Sequence, residues 1–167
     1  MTIETERLII RPATEADRER MIELWTDAEF MVYSDAVTDP DTAHARFDLM
    51  LAMLQRFPFA KQPIIEKVSG HLIGYTGVGT FEFEGQERLE YGYRLELGAR
   101  GNGYATEAGL AMLSFAQTCV AEPTEIFAII DPRNEPSQRV AEKLRFAYWK
   151  MAFVNGFDDM LWRQTIG

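Results

Sequence analysis

At 167 residues, 47% hydrophobic and 26% charged, the chain has apolar content for one good core and too little length for two. A net charge of −9 argues against general nucleic-acid binding, which needs a basic footprint, and no apolar run nears the roughly 18 residues of a membrane helix. Cys119 stands alone and His44 lies far from His71, so neither a disulfide framework nor a metal site is expected.

The opening "MTIETERLIIRP" is acidic and has no leader-like apolar stretch, which leads to the expectation of a cytoplasmic protein. "TERLIIRPA" reads as a first strand ended by Pro12. Thr14 and Asp17 resemble a capping pair that opens an amphipathic helix running to about Thr26. A second helix starts at Asp39 to Asp41, with Phe47, Met50, Leu51 and Leu54 at helical spacing. Next come "PIIEKV", a turn at Ser69-Gly70, and "HLIGYTGVGTFEF", a hairpin pattern; Gly85-Gln86 turns the chain again into "RLEYGYRLEL".

Residues Thr106 to Gln117 form a predicted helix whose face is Ala105, Ala108, Gly109, Met112, Leu113 and Ala116, small enough to approach a sheet closely. "TEIFAIID" is a near-continuous β-branched run, as in a buried strand. A helix over about Pro136 to Leu144 follows, and two last strands flank Asn155-Gly156, a hairpin turn. No repeat or linker interrupts the chain, so residues 1–167 form one expected domain. An antiparallel meander joined to βαβ crossovers makes it α/β (α+β), one sheet between helices.

Two features point to chemistry. Residues 1–48 hold twelve acidic and five basic side chains, a net −7, whereas 133–150 hold five basic and two acidic, a net +3. Either these are solvated helix faces, or the second segment meets an anionic ligand and the first a cationic one. The second feature is "ARGNGYATEAG", residues 99–109. Its small residues suit a turn needing positive φ or close packing, and equally a polyanion lying against bare N–H groups at a helix start.

Arg100-Gly101-Asn102-Gly103-Tyr104-Ala105 matches the Arg/Gln-x-x-Gly-x-Gly/Ala signature, and with it the chain resembles the GNAT superfamily of acyltransferases. "GYATEA" resembles the branch that includes the ribosomal-protein N-acetyltransferases of RimJ/RimL type. "TERLIIRPATEAD", "IGYTGV", "EYGYRLELGARGNGYATEA" and "NEPSQRVAEKLRF" extend the likeness nearly end to end, in the family's order. The resemblance implies a mixed sheet of six to seven strands flanked by about four helices. Its fourth and fifth strands, here about Leu89 to Leu97 and Glu125 to Asp131, would splay at a bulge near Leu95 to Leu97.

The resemblance further implies acetyl-CoA as cosubstrate. Its pyrophosphate would lie on the amides of Arg100, Gly101, Asn102, Gly103, Tyr104 and Ala105, with Asn134, Ser137 and Lys143 as further contacts. Amides at Leu95 to Leu97 would meet the thioester carbonyl and stabilise the oxyanion. A primary amine must shed a proton before it attacks; Glu90 is the implied base, against a reading as a plain surface glutamate, with Glu82 and Glu84 as weaker candidates.

Where many relatives carry a tyrosine to protonate the thiolate, this sequence has Ala141. Ser137, matching a serine of Rim-type relatives, would protonate sulfur, bond to CoA, or merely cap its helix. Arg145 replaces the usual glycine of the Lys-x-Gly-Phe segment, either under strain or contributing to the basic stretch.

The acceptor would be lined by Phe30, Met31, Tyr33, Asp35 and Phe81, each also a candidate for plain core packing. Aromatics beside carboxylates suit a cationic amine, such as a protein N-terminus or a polyamine-like molecule. A small-molecule amine such as an antibiotic is the alternative acceptor. From another class, a catalytically degenerate acyl-CoA sensor is the rival. A homodimer is a further implication, with no stretch marking its interface.

Overall fold

The computed structural model describes residues 1–33 and 38–167. Among them are eight strands and four α-helices. These are β1 Ile3–Glu4, β2 Leu8–Ile10, α1 Arg18–Thr26, α2 Pro40–Arg56, β3 Gln62–Glu66, β4 Leu72–Phe83 and β5 Gln86–Leu95. They continue with α3 Tyr104–Cys119, β6 Thr124–Ile130, α4 Glu135–Lys143, β7 Ala147–Val154 and β8 Phe157–Ile166. The strands form one sheet in the order β1-β2-β3-β4-β5-β6-β8-β7, and its one parallel pair is β5–β6.

The count exceeds the expected six to seven because a two-residue strand, Ile3–Glu4, precedes the first expected one. A turn closed by Thr5 N–H donating to the Leu8 carbonyl at 3.0 Å folds it back on β2, antiparallel. Two residues are too few to show a period-2 pattern.

The helix starts follow the sequence closely. Asp39 caps α2 by accepting from Thr42 N–H at 3.0 Å, with Pro40 at the first helical position. Ahead of α1, Asp17 accepts from Thr14 N–H at 2.8 Å and pairs with Arg11 through two 2.7 Å contacts. In α3 the six small and apolar residues read from the sequence are the buried ones. Gly109 is needed there, since a Cβ would lie 2.7 Å from the Tyr91 hydroxyl and 2.6 Å from a Leu144 methyl.

Alternation along β4 separates the two sides of the sheet. Thr76 bonds to Tyr91 at 2.9 Å beneath α3, whereas Tyr75 packs against Trp25 of α1 and against Phe30. The larger core holds α3, α4 and the sheet centre; a second cluster joins α1 and α2 to Leu72 and Tyr75.

Candidate active site

The pairing of β5 with β6 covers only Leu89↔Ile126 and Glu90↔Phe127. Beyond Glu90 the strands part, and a cleft of about 650 Å³ opens between them. Tyr91 to Leu95 and Ala128 to Asp131 form its walls, and the loop before α3 and the start of α4 close one end. The expected splay is thus present, but the expected bulge at Leu95 to Leu97 is not. The β4–β5 register runs unbroken from Phe83↔Gln86 to Gly74↔Leu95. The strand simply stops, and a 3₁₀ turn at Leu97–Ala99 follows.

Gly101 and Gly103 both have positive φ, at 78° and 81°, so the loop needs glycine for its conformation. Gly103 is the N-cap of α3, which places unpaired helix amides next to the cleft. Arg100 braces the loop, donating from Nε to the Leu95 carbonyl at 2.9 Å and from Nη2 to the Glu29 carbonyl at 2.7 Å. From the far side, Arg7 Nη1 donates to the Asn102 carbonyl at 2.9 Å, while its Nε bonds to Glu107 at 2.7 Å. The Arg7 guanidinium also lies 4.7 Å from the Tyr104 ring centre, and the Tyr104 hydroxyl donates to Glu66 at 2.7 Å. The hydrogen bond to Glu107 outweighs desolvation and holds the Arg7 guanidinium above its ordinary value.

At the other end, Glu90 lines the cleft beside Lys61, whose Nζ is 3.2 Å from Oε2. Their side chains are 22% and 31% exposed. The Lys61 side chain lies over two glycines: a Cβ on Gly79 would sit 3.5 Å from its Nζ, and one on Gly92 3.4 Å. Burial pulls the Lys61 ammonium down, but the charge and hydrogen bond of Glu90, together with Tyr75, more than restore it, leaving it above its ordinary value. This lysine is a residue that sequence reasoning missed.

At the start of α4 the capping side chain belongs to a residue other than Ser137. Asn134 is the N-cap, its side chain accepting from Ser137 N–H at 3.1 Å. The Ser137 hydroxyl instead meets the Tyr93 hydroxyl at 3.0 Å, and both residues line the cleft. Burial pushes the Tyr93 phenol up, more than its bond to Ser137 and the charge of Arg100 draw it down. Strand alternation puts Glu90 and Gly92 on one face of β5 and Tyr91 and Tyr93 on the other. The cleft touches both faces.

Of the residues expected at the site, Phe30, Tyr33, Glu90, Leu95, Arg100, Gly101, Gly103, Tyr104, Ala105, Asn134, Ser137 and Lys143 line the cleft, joined by Arg94 and Arg139. Three do not. Leu97 projects from the 3₁₀ turn and is 60% exposed, and Asn102 turns its amide back to the Gly98 and Arg100 carbonyls. Phe81 is buried against Phe127, with ring centres 5.7 Å apart, in a cluster with Phe83, Val154 and Leu161. Its role is packing. Asp35 lies outside the described residues. Glu84 sits in the β4–β5 turn, paired with Lys150 at 2.9 Å, and Glu82 lies opposite Glu87 in the ladder; neither lines the cleft.

Arg145 is exposed and away from the cleft. It occupies the left-handed position after α4 at φ 68°, where Phe146 N–H bonds to the Ala141 carbonyl at 2.9 Å. The strain reading is therefore the one the geometry supports. Arg145→Gly is expected to stabilise the fold by about 1 kcal/mol, raising Tm by about 2–4 °C; an unchanged or lowered melting curve would refute that.

Residues 7–147 match the acetyltransferase (GNAT) domain family. The N-acetyltransferase p20 of Bacillus licheniformis, itself uncharacterised, is 29% identical over 149 residues, covering 87% of this chain and 82% of its own. An acetyltransferase from Agrobacterium tumefaciens superposes with a TM-score of 0.84 at 25% identity, over 98% of this chain and 94% of that one. RimL, an L7/L12 α-N-protein acetyltransferase solved with coenzyme A, superposes with a TM-score of 0.81 at 16% identity, over 99% and 98%. The loop, the parted strands and the sequence match agree: the chain belongs to the GNAT family of acetyltransferases.

Proposed function

We propose that the protein moves an acetyl group from acetyl-CoA to a primary amine by direct attack, without a covalent enzyme intermediate. The observation that carries this reading is the single cleft running from a glycine-built helix start to the Glu90 carboxylate, through the gap between β5 and β6. The fit to acetyl-CoA rests on this chain's own groups. Amides at Gly101 to Ala105 and the basic side chains of Arg139 and Lys143 would hold phosphate oxygens. The opened strand edges leave room and backbone polar groups for the pantetheine arm.

At the reacting centre, Glu90 takes the proton that the acceptor ammonium must lose, directly or through water. Lys61 holds the carboxylate oriented into the cleft from the other side. Ser137, on the opposite face of β5, is placed to supply a proton to the departing sulfur. Base and acid thus flank the strand gap from its two sides, as an exchange of amine for thiol requires.

Phe30 and Tyr33 remain proposed acceptor contacts. The protein N-terminal amine on which RimL acts supports an N-terminal amine as acceptor here, with small-molecule amines as the next class. The test is CoA release from acetyl-CoA across a panel of peptides with free N-termini, polyamines and amino-sugar antibiotics. Acceptor-dependent release with an acetylated product supports the transferase. Binding of acetyl-CoA with no release on any amine would replace it with the sensor reading.

A further inference from the structure

The family's tyrosine position on α4 is Ala141 in this chain, buried beneath the cleft. We propose that Tyr93, supplied from strand β5 instead, is the positioning residue for Ser137. Its phenol donates to Ser137 Oγ, so that the serine's own proton is directed into the cleft, at the sulfur that departs.

Three observations carry this. The Tyr93 and Ser137 hydroxyls are 3.0 Å apart. Ser137 is released from helix capping because Asn134 performs it. Both side chains line the same cleft, opposite the face that holds Lys61 and Glu90. A serine hydroxyl has one proton and rotates freely. If Ser137 gave that proton to Tyr93 it would face the sulfur only with lone pairs. With the Tyr93 phenol as donor, a serine lone pair is occupied and the serine proton is left free for the cleft.

In the step itself, Glu90 has passed the acceptor's ammonium proton on to water, the freed nitrogen has bonded to the carbonyl carbon, and the nitrogen's second proton goes to Glu90. The C–S bond then breaks with its electron pair staying on sulfur. Sulfur takes the proton of Ser137 Oγ, and Ser137 regains one from the Tyr93 hydroxyl, which is reprotonated from water as CoA leaves. No oxidant or further reactant is needed.

This inference rests on the acetyl-transfer reading, and the experiment separates the two. Tyr93→Phe, Ser137→Ala and the double variant are compared with the wild type in two measurements. The first is kcat and KM. The second is the titration of the CoA thiol in the binary complex, followed by thiolate absorbance, with desulfo-CoA as blank. Tyr93→Phe is expected to lower kcat about tenfold, with KM for acetyl-CoA and acceptor unchanged. Ser137→Ala should lower kcat further, and the double variant no further than Ser137→Ala alone.

In the binary complex, the thiol should titrate below its value in free CoA in the wild type and move back up in each variant. A wild type without turnover would overturn the acetyl-transfer reading. With an active wild type, the Tyr93 assignment fails if Tyr93→Phe leaves kcat and the thiol titration unchanged. It also fails if the two losses multiply in the double variant, or if Tyr93→Phe loses more than Ser137→Ala.

Discussion

A Glu90→Gln variant is expected to lose about 10²–10⁴-fold in kcat, the usual contribution of a positioned general base, while binding acetyl-CoA as the wild type does. Glutamine keeps the shape of the side chain and a hydrogen-bond acceptor for Lys61, so the cleft stays open. What disappears is the group able to take the acceptor's proton. Raising the pH should recover part of the loss, because an α-amino group with a pKa of about 8 then arrives deprotonated. The Lys61 ammonium loses its ionic partner, but both side chains reach solvent, so the stability cost should stay near that of other partly exposed pairs, about 1 kcal/mol. Steady-state rates measured across pH, with a melting curve as control, make the comparison. Wild-type kcat in the variant would remove Glu90 from the mechanism and leave its ion pair with Lys61 as a packing feature.

Gly77→Ala should be among the most damaging small substitutions for the fold. The residue has φ 143°, and an added Cβ would lie 2.4 Å from the Ala60 carbonyl oxygen and 2.7 Å from Lys61 Cα, all rigid backbone. The segment before β3 comes this close because Val78 N–H donates to the Phe59 carbonyl at 2.9 Å and Ala60 bridges to Val78. Overpacking and backbone strain together should cost about 3 kcal/mol or more, a lowering of Tm by roughly 6–12 °C. The same displacement would pull Lys61 away from Glu90, so kcat should fall in the molecules that stay folded. Gly98→Ala, where nothing lies within 4 Å, is the control and should stay within about 0.5 kcal/mol of the wild type. Equal melting curves for Gly77→Ala and Gly98→Ala would contradict the packing described for β4.

Much of this was legible from local pattern. The buried face of α3, the Asp39 cap, the Asn155-Gly156 hairpin and the glycine loop each depend on spacing within a few residues. What stayed hidden depends on approach between distant segments. Lys61 and Glu90 are 29 residues apart and Tyr93 and Ser137 are 44 apart, and no period or motif links either pair. The glycines at 77, 79 and 92 were a signal for the first: a strand pair stripped of side chains on one face leaves a trough that some other side chain fills. Phe81 shows the opposite failure. It came with the family likeness as an acceptor residue and does share the face of Glu90, but the likeness says nothing of position along that face, and Phe127 covers it. The bulge at Leu95 to Leu97 came with the family likeness; here β5 and β6 already part beyond Glu90, with the β4–β5 ladder unbroken.

Calorimetric titration of the wild type beside Gly101→Asp tests most directly whether the cleft holds acetyl-CoA. Gly101 has open space around it, and aspartate tolerates its positive φ, so the variant should fold. Its carboxylate would face the phosphates and block their approach to the loop amides. Micromolar binding to the wild type and at least a hundredfold weaker binding to Gly101→Asp are expected. A folded wild type that takes up no acetyl-CoA would contradict this reading of the cleft.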